Sequence, residues 1–213
     1  MSLTLGVNPE FPDDKALVLA AEVLQSGGVV VYPTETLYGV GALALNARAV
    51  ERVQALKKRE ARKPILVLVE SCEAATALAA GVTPAAQALM EAFWPGPLTL
   101  VFSVAGRFPH ALTQGKDTLG IRVPSSPLCL RLLSLCGAPV TSTSANVSNG
   151  PVLHSISEIY ETFRAGVDLY LDAGVLPVRK PSSVVDVTGE IPWLLREGAV
   201  TMEELRRVVP ALR

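Results

Sequence analysis

The stretch VVVYPTETLYGVG, residues 29–41, begins with three valines directly after a pair of glycines. A short β-branched run bounded by glycines is typical of a buried strand. Pro33 predicts the end of that strand, because proline has no N–H to donate to a ladder. Polar residues 34–36 follow, and then Gly39 and Gly41, which the pattern places in a flexible loop. Open α/β sheets usually place ligands where buried strands end in polar clusters, so the stretch indicates a ligand loop; an ordinary proline turn is the alternative.

The composition is typical of one well-packed domain. Of the 213 residues, 49% are hydrophobic, which is enough to bury a sizeable core. No internal repeat or linker of low complexity divides them, so we expect a single domain over residues 1–213. The 19 basic and 20 acidic residues leave a formal net charge of -1. Because the chain has no overall basic excess, any contact with nucleic acid would depend on a local patch.

Apolar runs alternate with helical patterns along the chain. Residues 65–69 read ILVLV, and about seven runs of this kind predict strands, several of them buried on both faces. The alternation predicts an α/β fold of three layers, with helices on both sides of a mixed, twisted sheet. The runs at 183–187 and 193–196 lie close enough in sequence to pair as a hairpin. Residues 108–116 mix proline, histidine and glycine, which predicts a loop.

The cysteines and the lengths of the apolar runs favour a cytoplasmic protein. The three cysteines, Cys72, Cys129 and Cys136, form no C-x-x-C pair, and scattered thiols are typical of a reducing compartment. Cys129 and Cys136 fall on one predicted helix, two turns apart, so we expect both on its apolar face. No leader pattern is present at the N-terminus, and no apolar run approaches the ~20 residues that span a bilayer. We therefore expect a soluble protein without membrane contact.

Several common catalytic and nucleotide-binding motifs are absent from the sequence. The only two histidines, His110 and His154, are remote from cysteine or carboxylate clusters, so we predict no metal site. No serine sits in a G-x-S-x-G elbow. Neither a G-x-x-x-x-G-K-[ST] loop nor a G-x-G-x-x-G loop occurs. A nucleotide would therefore have to be held by side chains and irregular loops.

Three groups of residues could hold an anion. Residues 57–63 (KKREARK) carry five basic side chains, and TSTSAN at 141–146 offers five hydroxyl or amide groups after a predicted strand. Arg122 and Arg196 lie within apolar strand patterns, where a guanidinium must find an anion. Each group has a structural alternative: a solvated helix end, a Ser/Thr turn and internal salt bridges. Because all lie at predicted strand ends, together they suggest a pocket that binds and orients anions.

Seven stretches, in order along the chain, carry a resemblance to a known family: YPTETLYGVG, KKR followed by KP, WPGPLTLVF, DTLGIRVP, STSAN, SSVVDVTG and LLREGAV. On these residues the chain resembles the YrdC/Sua5 family, the threonylcarbamoyl-AMP synthases. The family's K-x-R signature corresponds to Lys57 and Arg59, and its S-x-N signature to Ser144 and Asn146. The resemblance implies a YrdC/RibB-like fold with an open concave face, in the family's short, single-domain form without the C-terminal Sua5 domain.

The resemblance also implies a reaction: L-threonine, bicarbonate and ATP give threonylcarbamoyl-AMP and pyrophosphate, the first step toward N6-threonylcarbamoyladenosine in tRNA. Lys57 and Arg59 would be catalytic. The residues implied for L-threonine are Thr36, Arg122, Ser142 and Ser182. The residues implied for ATP are Lys57, Arg59, Lys63, Thr118, Ser144, Asn146, Val152 and Arg196. Mg²⁺ would arrive with ATP, since no carboxylate cage is evident, and the implied partners are tRNA or double-stranded RNA and downstream threonylcarbamoyl-transfer proteins.

One departure from the family pattern and one alternative function stand beside the implied synthase activity. Many relatives have histidine where this chain has Leu68, which affects one expected threonine contact. An RNA-binding module of the same fold, without adenylation activity, is the alternative function, because the basic residues 57–63 could follow a phosphate backbone.

Overall fold

The structure, a computed structural model, describes residues 2–58, 65–104 and 108–213. Within these ranges ten strands and eight α-helices alternate. The strands are β1 (Leu3–Gly6), β2 (Val30–Pro33), β3 (Tyr38–Gly41), β4 (Leu66–Leu68), β5 (Leu98–Ser103), β6 (Thr118–Arg122), β7 (Val140–Ser144), β8 (Leu169–Asp172), β9 (Ser183–Asp186) and β10 (Trp193–Arg196). The helices are α1 (Asp14–Gln25), α2 (Ala47–Leu56), α3 (Cys72–Leu78), α4 (Pro84–Phe93), α5 (His110–Thr113), α6 (Pro127–Cys136), α7 (Ile156–Phe163) and α8 (Met202–Val208).

The strands form one open, mixed sheet in the order β1–β8–β2–β3–β7–β4–β6–β5–β9–β10. Strands β2 and β3 are antiparallel, whereas β4 and β6 run parallel with Val67 opposite Ile121. The predicted pairing of residues 183–187 with 193–196 is confirmed as the antiparallel pair β9–β10. The predicted three-layer α/β fold is confirmed, but the estimate of about seven strands was too low, because the sheet has ten.

Two strands were missed for different physical reasons. Strand β1 is a short edge strand whose side chains are mostly exposed, so it carries no apolar run. Strand β3 contains Gly39 and Gly41, which were interpreted as a flexible loop. In the structure they lie within the β2–β3 hairpin, where a Cβ at Gly41 would stand 2.0 Å from the backbone oxygen of Thr141. These glycines are needed because neighbouring strands pack closely there.

Substituting alanine for Gly41 is therefore expected to destabilise the protein by about 1–3 kcal/mol, the range typical of overpacking in a well-packed core. Gly81→Ala is the matched control, because a Cβ at exposed Gly81 meets no atom within 4 Å. Urea unfolding measures both variants. Equal midpoints for the two would contradict the close approach of β3 to β7.

The two faces of the sheet are covered unequally. Alternate strand residues such as Val67, Leu100 and Ile121 pack in the larger core, together with side chains from helices α2–α5, α7 and α8. On the other face, α1 and α6 pack on Tyr32 and Leu169 in a smaller core. Because α1 and α6 pack on β2, and α1 also on β8, they cover one half of this face.

The other half of that face carries short and polar side chains. Thr118, Gly120 and Arg122 of β6 share it, because side chains alternate along a strand. Strand β4 lies between β6 and β7, and its residue Leu66 pairs with Ser142 of β7. All of these residues line an open cleft instead of a core. The site therefore lies on the part of the sheet that the two helices leave uncovered.

Two helices begin at complete capping boxes. Ser155 and Thr201 form complete capping boxes with Glu158 and Glu204. The expected loop at 108–116 contains the single helical turn α5, which is too short to show a periodic pattern. Among the described residues no helix is both long and apolar enough to cross a membrane.

The cysteines are free thiols, and Cys129 and Cys136 are both buried on α6, as predicted. Burial raises the pKa of Cys129 to about 12 and that of Cys136 to about 11. Both thiols are therefore protonated and unreactive in the folded protein near neutral pH.

Candidate active site

A cleft of about 430 Å³ lies over the uncovered half of the sheet. It brings together ten residues that the sequence singled out from distant parts of the chain. They are Thr36, Lys57, Thr118, Arg122, Ser142, Ser144, Asn146, Val152, Ser182 and Arg196. The remaining two, Arg59 and Lys63, lie outside the described residues. The structure thus places every predicted site residue that it describes in one cavity, while their individual roles stay predictions.

The β2–β3 loop is ordered by the side chain of Thr34. Its hydroxyl donates to the Leu37 carbonyl at 2.7 Å and accepts from the N–H groups of Thr36 and Leu37. The hydroxyls of Thr34 and Thr36 also contact each other at 2.9 Å. Whichever of the two donates, Thr36 Oγ1 lines the cleft and keeps a lone pair that can accept a hydrogen bond from a ligand.

Lys57 is a buried cation at one side of the cleft, with 2% of its surface exposed. Its ammonium donates to the carbonyl of Ser144, to Ser144 Oγ at 3.3 Å and to Asn146 Oδ1 at 3.1 Å. Asn146 in turn donates to the carbonyl of Gly150 at 2.8 Å. The lysine of the K-x-R signature and both polar residues of the S-x-N signature therefore form one hydrogen-bonded unit.

Arg122 is buried at the floor of the cleft, with only 4% of its surface exposed. Its Nε donates to the carbonyl of Gly96 at 2.9 Å, and its Nη2 forms an ion pair with the carboxylate of Glu35. Glu35 also accepts from the N–H of Ser125 at 3.1 Å. The structural salt bridge considered for Arg122 is therefore present, and the same guanidinium also borders the cleft.

Arg196 lies on the edge strand β10, at an irregularity in its pairing with β9 between Leu194 and Arg196. Such bulges redirect side chains. Its Nη2 donates to the carbonyl of Ser182 at 2.8 Å, and Ser182 Oγ is 3.0 Å from the hydroxyl of Thr99. Burial, and then the positive charge of Arg122, lower the pKa of Arg196. The positive charges of the two guanidinium groups therefore act on each other.

Comparison with known protein families identifies the family of this chain. A family model for Sua5, YciO and YrdC proteins, described as Telomere recombination, matches residues 22–198. The chain belongs to the Sua5/YciO/YrdC family. The threonylcarbamoyl-AMP synthase of Pyrococcus abyssi is 34% identical over 213 residues, 100% of this chain and 62% of that protein. The synthase of Bacillus subtilis is 33% identical over 92% of this chain and 57% of its own length.

Solved structures of the Sua5/YciO/YrdC family share the fold. The complex of P. abyssi Sua5 with L-threonine matches with a TM-score of 0.94 over 100% of this chain and 62% of that one. Escherichia coli YciO matches with a TM-score of 0.88 and 28% identity, over 96% and 100% of the two chains. The chain spans less than two thirds of the P. abyssi and B. subtilis relatives.

Leu68 occupies the position at which many members of the family were expected to have histidine. Its side chain is 1% exposed and packs in the smaller core, and it is not part of the cleft lining. Leu68 stands opposite Arg122 in the parallel pair β4–β6. Because Leu68 is apolar and lies in the core, it contributes no side-chain hydrogen bond to the cleft.

Sequence reasoning missed some residues of this family site. Thr99 and Asn149 line the cleft, and Glu35 pairs with Arg122 behind it. Thr99 had a detectable signal, because it is a lone hydroxyl within the apolar run LTLVF. Asn149 has a φ of 63° in the loop after the S-x-N signature, a backbone conformation that asparagine tolerates. Glu35 had no signal beyond its place in the polar loop.

Proposed function

We propose that this protein is an L-threonylcarbamoyladenylate synthase, a nucleotidyltransferase that converts L-threonine, bicarbonate and ATP to threonylcarbamoyl-AMP and pyrophosphate. The observation that carries the proposal is the convergence of cations and hydroxyls from seven separate segments on one cleft. It is supported by family membership and by the close match to a relative solved with L-threonine.

L-threonine would bind at the Arg122 end of the cleft. A guanidinium can hold a carboxylate through paired N–H groups, and Nη1 of Arg122 is not used by Gly96 or Glu35. The hydroxyls of Ser142 and Ser182 line the same cavity and can contact the ligand's polar groups. Thr36 Oγ1 supplies an acceptor for the amine or the side-chain hydroxyl.

ATP would bind at the side of the cleft that contains Lys57. The ammonium of Lys57, held by Ser144 and Asn146, would contact a phosphate, and Arg196, from β10 beside Ser182, would add a second cation where the phosphates approach L-threonine. Thr118 would contribute a hydroxyl, and Val152 an apolar surface for the nucleotide. Arg59 and Lys63 remain predicted phosphate ligands from the segment outside the described residues.

The chemistry that these residues support needs no protein nucleophile. The amine of L-threonine attacks bicarbonate, and loss of water gives a carbamate. A carbamate oxygen then attacks the α-phosphorus of ATP, and the bond from that phosphorus to the bridging oxygen breaks, which releases pyrophosphate. The protein would act by holding the reactants in line and neutralising phosphate charge. Orientation alone can contribute roughly 7–11 kcal/mol to such a reaction.

Mg²⁺ would enter with the phosphates of ATP. Among the described residues no group of three or more histidine, cysteine or acidic side chains could form a metal cage. Mg²⁺ would therefore be held mostly by phosphate oxygens and water.

The product points to tRNA modification, and tRNA or double-stranded RNA and downstream threonylcarbamoyl-transfer proteins stay predicted partners. A cytoplasmic location also stays a prediction. The comparisons do not favour an RNA-binding module without catalysis, because the relatives are named as synthases.

The purified protein is expected to form threonylcarbamoyl-AMP and pyrophosphate only when L-threonine, bicarbonate and ATP are all present. Chromatographic separation of the adenylate, with parallel pyrophosphate detection, measures this. Omitting each substrate in turn is the control. ATP hydrolysis that is independent of threonine, with no adenylate formed, would show that the proposal is wrong.

A further inference from the structure

Behind Arg122 lies a carboxylate whose purpose the proposed reaction does not explain. The side chains of Arg122 and Glu35 are 5% and 13% exposed, so the pair is largely removed from water. Glu35 Oε1 accepts from Arg122 and from the N–H of Ser125. Glu35 Oε2 is buried and has no hydrogen-bond partner among the described residues. A buried carboxylate that makes so few hydrogen bonds is costly, which calls for a reason.

The pair changes the charge at this end of the cleft. Arg122 and Glu35 sum to zero, whereas Arg196 has no acidic partner within ion-pairing distance in the described part of the chain. Arg196 contacts Ser182 and has its pKa lowered in part by the charge of Arg122, so it lies on the Arg122 side of the cleft. Glu35 therefore reduces the positive charge on this side from two guanidinium groups to one. Lys57 lies beside Ser144 and Asn146, in a different part of the cleft, where its positive charge attracts phosphate.

This difference matters because both proposed ligands carry negative charge: L-threonine on its carboxylate and ATP on its phosphates. An uncompensated Arg122 would attract a phosphate chain more strongly than a single carboxylate, since phosphates carry more charge. With Glu35 beside it, a polyanion is repelled. A zwitterionic amino acid is not penalised in this way, because its ammonium offsets its own carboxylate and tolerates a nearby acid.

We propose that Glu35 is a positioning residue that makes the Arg122 end of the cleft selective for a zwitterionic amino acid over phosphate chains. Glu35 holds the guanidinium through Nη2 and neutralises it, while leaving Nη1 for the ligand carboxylate. The inference rests on the proposed function, in which L-threonine binds at Arg122. The new claim is that the charge of Glu35 decides which part of the cleft binds each substrate.

The test is calorimetric binding of L-threonine with and without inorganic pyrophosphate. In the wild-type protein, pyrophosphate is expected to bind near Lys57 and to change the threonine Kd less than two-fold. In Glu35→Gln, which keeps an acceptor oxygen for Arg122 but removes the charge, pyrophosphate is expected to compete and raise the apparent threonine Kd at least five-fold. Glu35→Asp keeps the charge and is expected to resist pyrophosphate as the wild type does.

Glu51→Gln is the matched control, because it removes the same charge from an exposed position on α2. A purely structural role for Glu35 would change the threonine Kd without creating sensitivity to pyrophosphate, and that result overturns the inference. Displacement of threonine by pyrophosphate from the wild type also overturns it, even if Glu35→Gln does not fold. If the wild type binds no threonine at all, the proposed function itself fails.

Discussion

Replacing Arg122 by alanine is expected to raise the KM for L-threonine about 100-fold, while the KM for ATP changes little. Removing one partner of a buried, charged hydrogen bond to a ligand typically costs 2–5 kcal/mol, and about 1.4 kcal/mol corresponds to a factor of ten. Arg122 is buried at the floor of the cleft and has N–H groups free of its contacts with Gly96 and Glu35. Steady-state adenylate formation at varied threonine measures the effect.

The same substitution should also lower stability, because Glu35 would be left as a buried charge without a partner. Breaking a buried pair in this way costs about 3–5 kcal/mol. The double variant Arg122→Ala/Glu35→Gln should recover part of that stability without recovering threonine affinity. Arg131→Ala is the control, since it breaks an exposed ion pair with Asp14 and should change neither quantity appreciably. A wild-type threonine KM in folded Arg122→Ala would remove Arg122 from the substrate site.

Replacing Lys57 by methionine is expected to reduce kcat/KM for ATP by about 10²–10³-fold, the range seen when one preorganised donor to a developing negative charge is removed. Methionine preserves most of the apolar stem of the buried lysine. Ser144 and Asn146 would lose the ammonium that both contact, so their orientation toward the nucleotide should also loosen. Adenylate formation at varied ATP, and binding of a non-hydrolysable ATP analogue, separate these effects.

Lys58→Met is the matched control for Lys57→Met. Lys58 is the next residue in the chain and is exposed. Lys58→Met therefore makes the same substitution outside the hydrogen-bonded unit of Lys57, Ser144 and Asn146. It should retain nearly the wild-type activity. Equal losses in the two variants would indicate a general effect of positive charge near the cleft, and the specific role of Lys57 would then be wrong.

The candidate site was unusually accessible from sequence because its residues conflict with their surroundings. Arginine within an apolar strand, or a run of hydroxyls after one, has no place in a core and therefore attracts notice. Arg122, Arg196, Ser142, Ser144 and Asn146 are residues of this kind, and all line one cleft, whereas Thr118, Val152 and Ser182 were implied only by the family resemblance. Glu35 and Asn149 escaped notice because an acid or an asparagine in a loop is ordinary, and only the folded chain gives each one its neighbours.

The fold was predictable to the extent that its signals are local. Helix caps such as Ser155 with Glu158, and apolar runs such as residues 65–69, act over a few residues and are readable directly. Strand β3 was not readable, because its glycines are required by the approach of Thr141, a hundred positions further along the chain. Strand β1 was missed because an exposed edge strand needs no apolar pattern.

By itself the sequence determined the three-layer α/β class, the pairing of β9 with β10 and the kinds of side chain that a ligand would meet. Only the tertiary structure decided that α1 and α6 cover half of one sheet face, and that Arg122 pairs with Glu35 in the uncovered half. The reason is physical: periodicity and capping are interactions between near neighbours. The partner of a buried charge depends on the order and register of strands that are far apart in the chain.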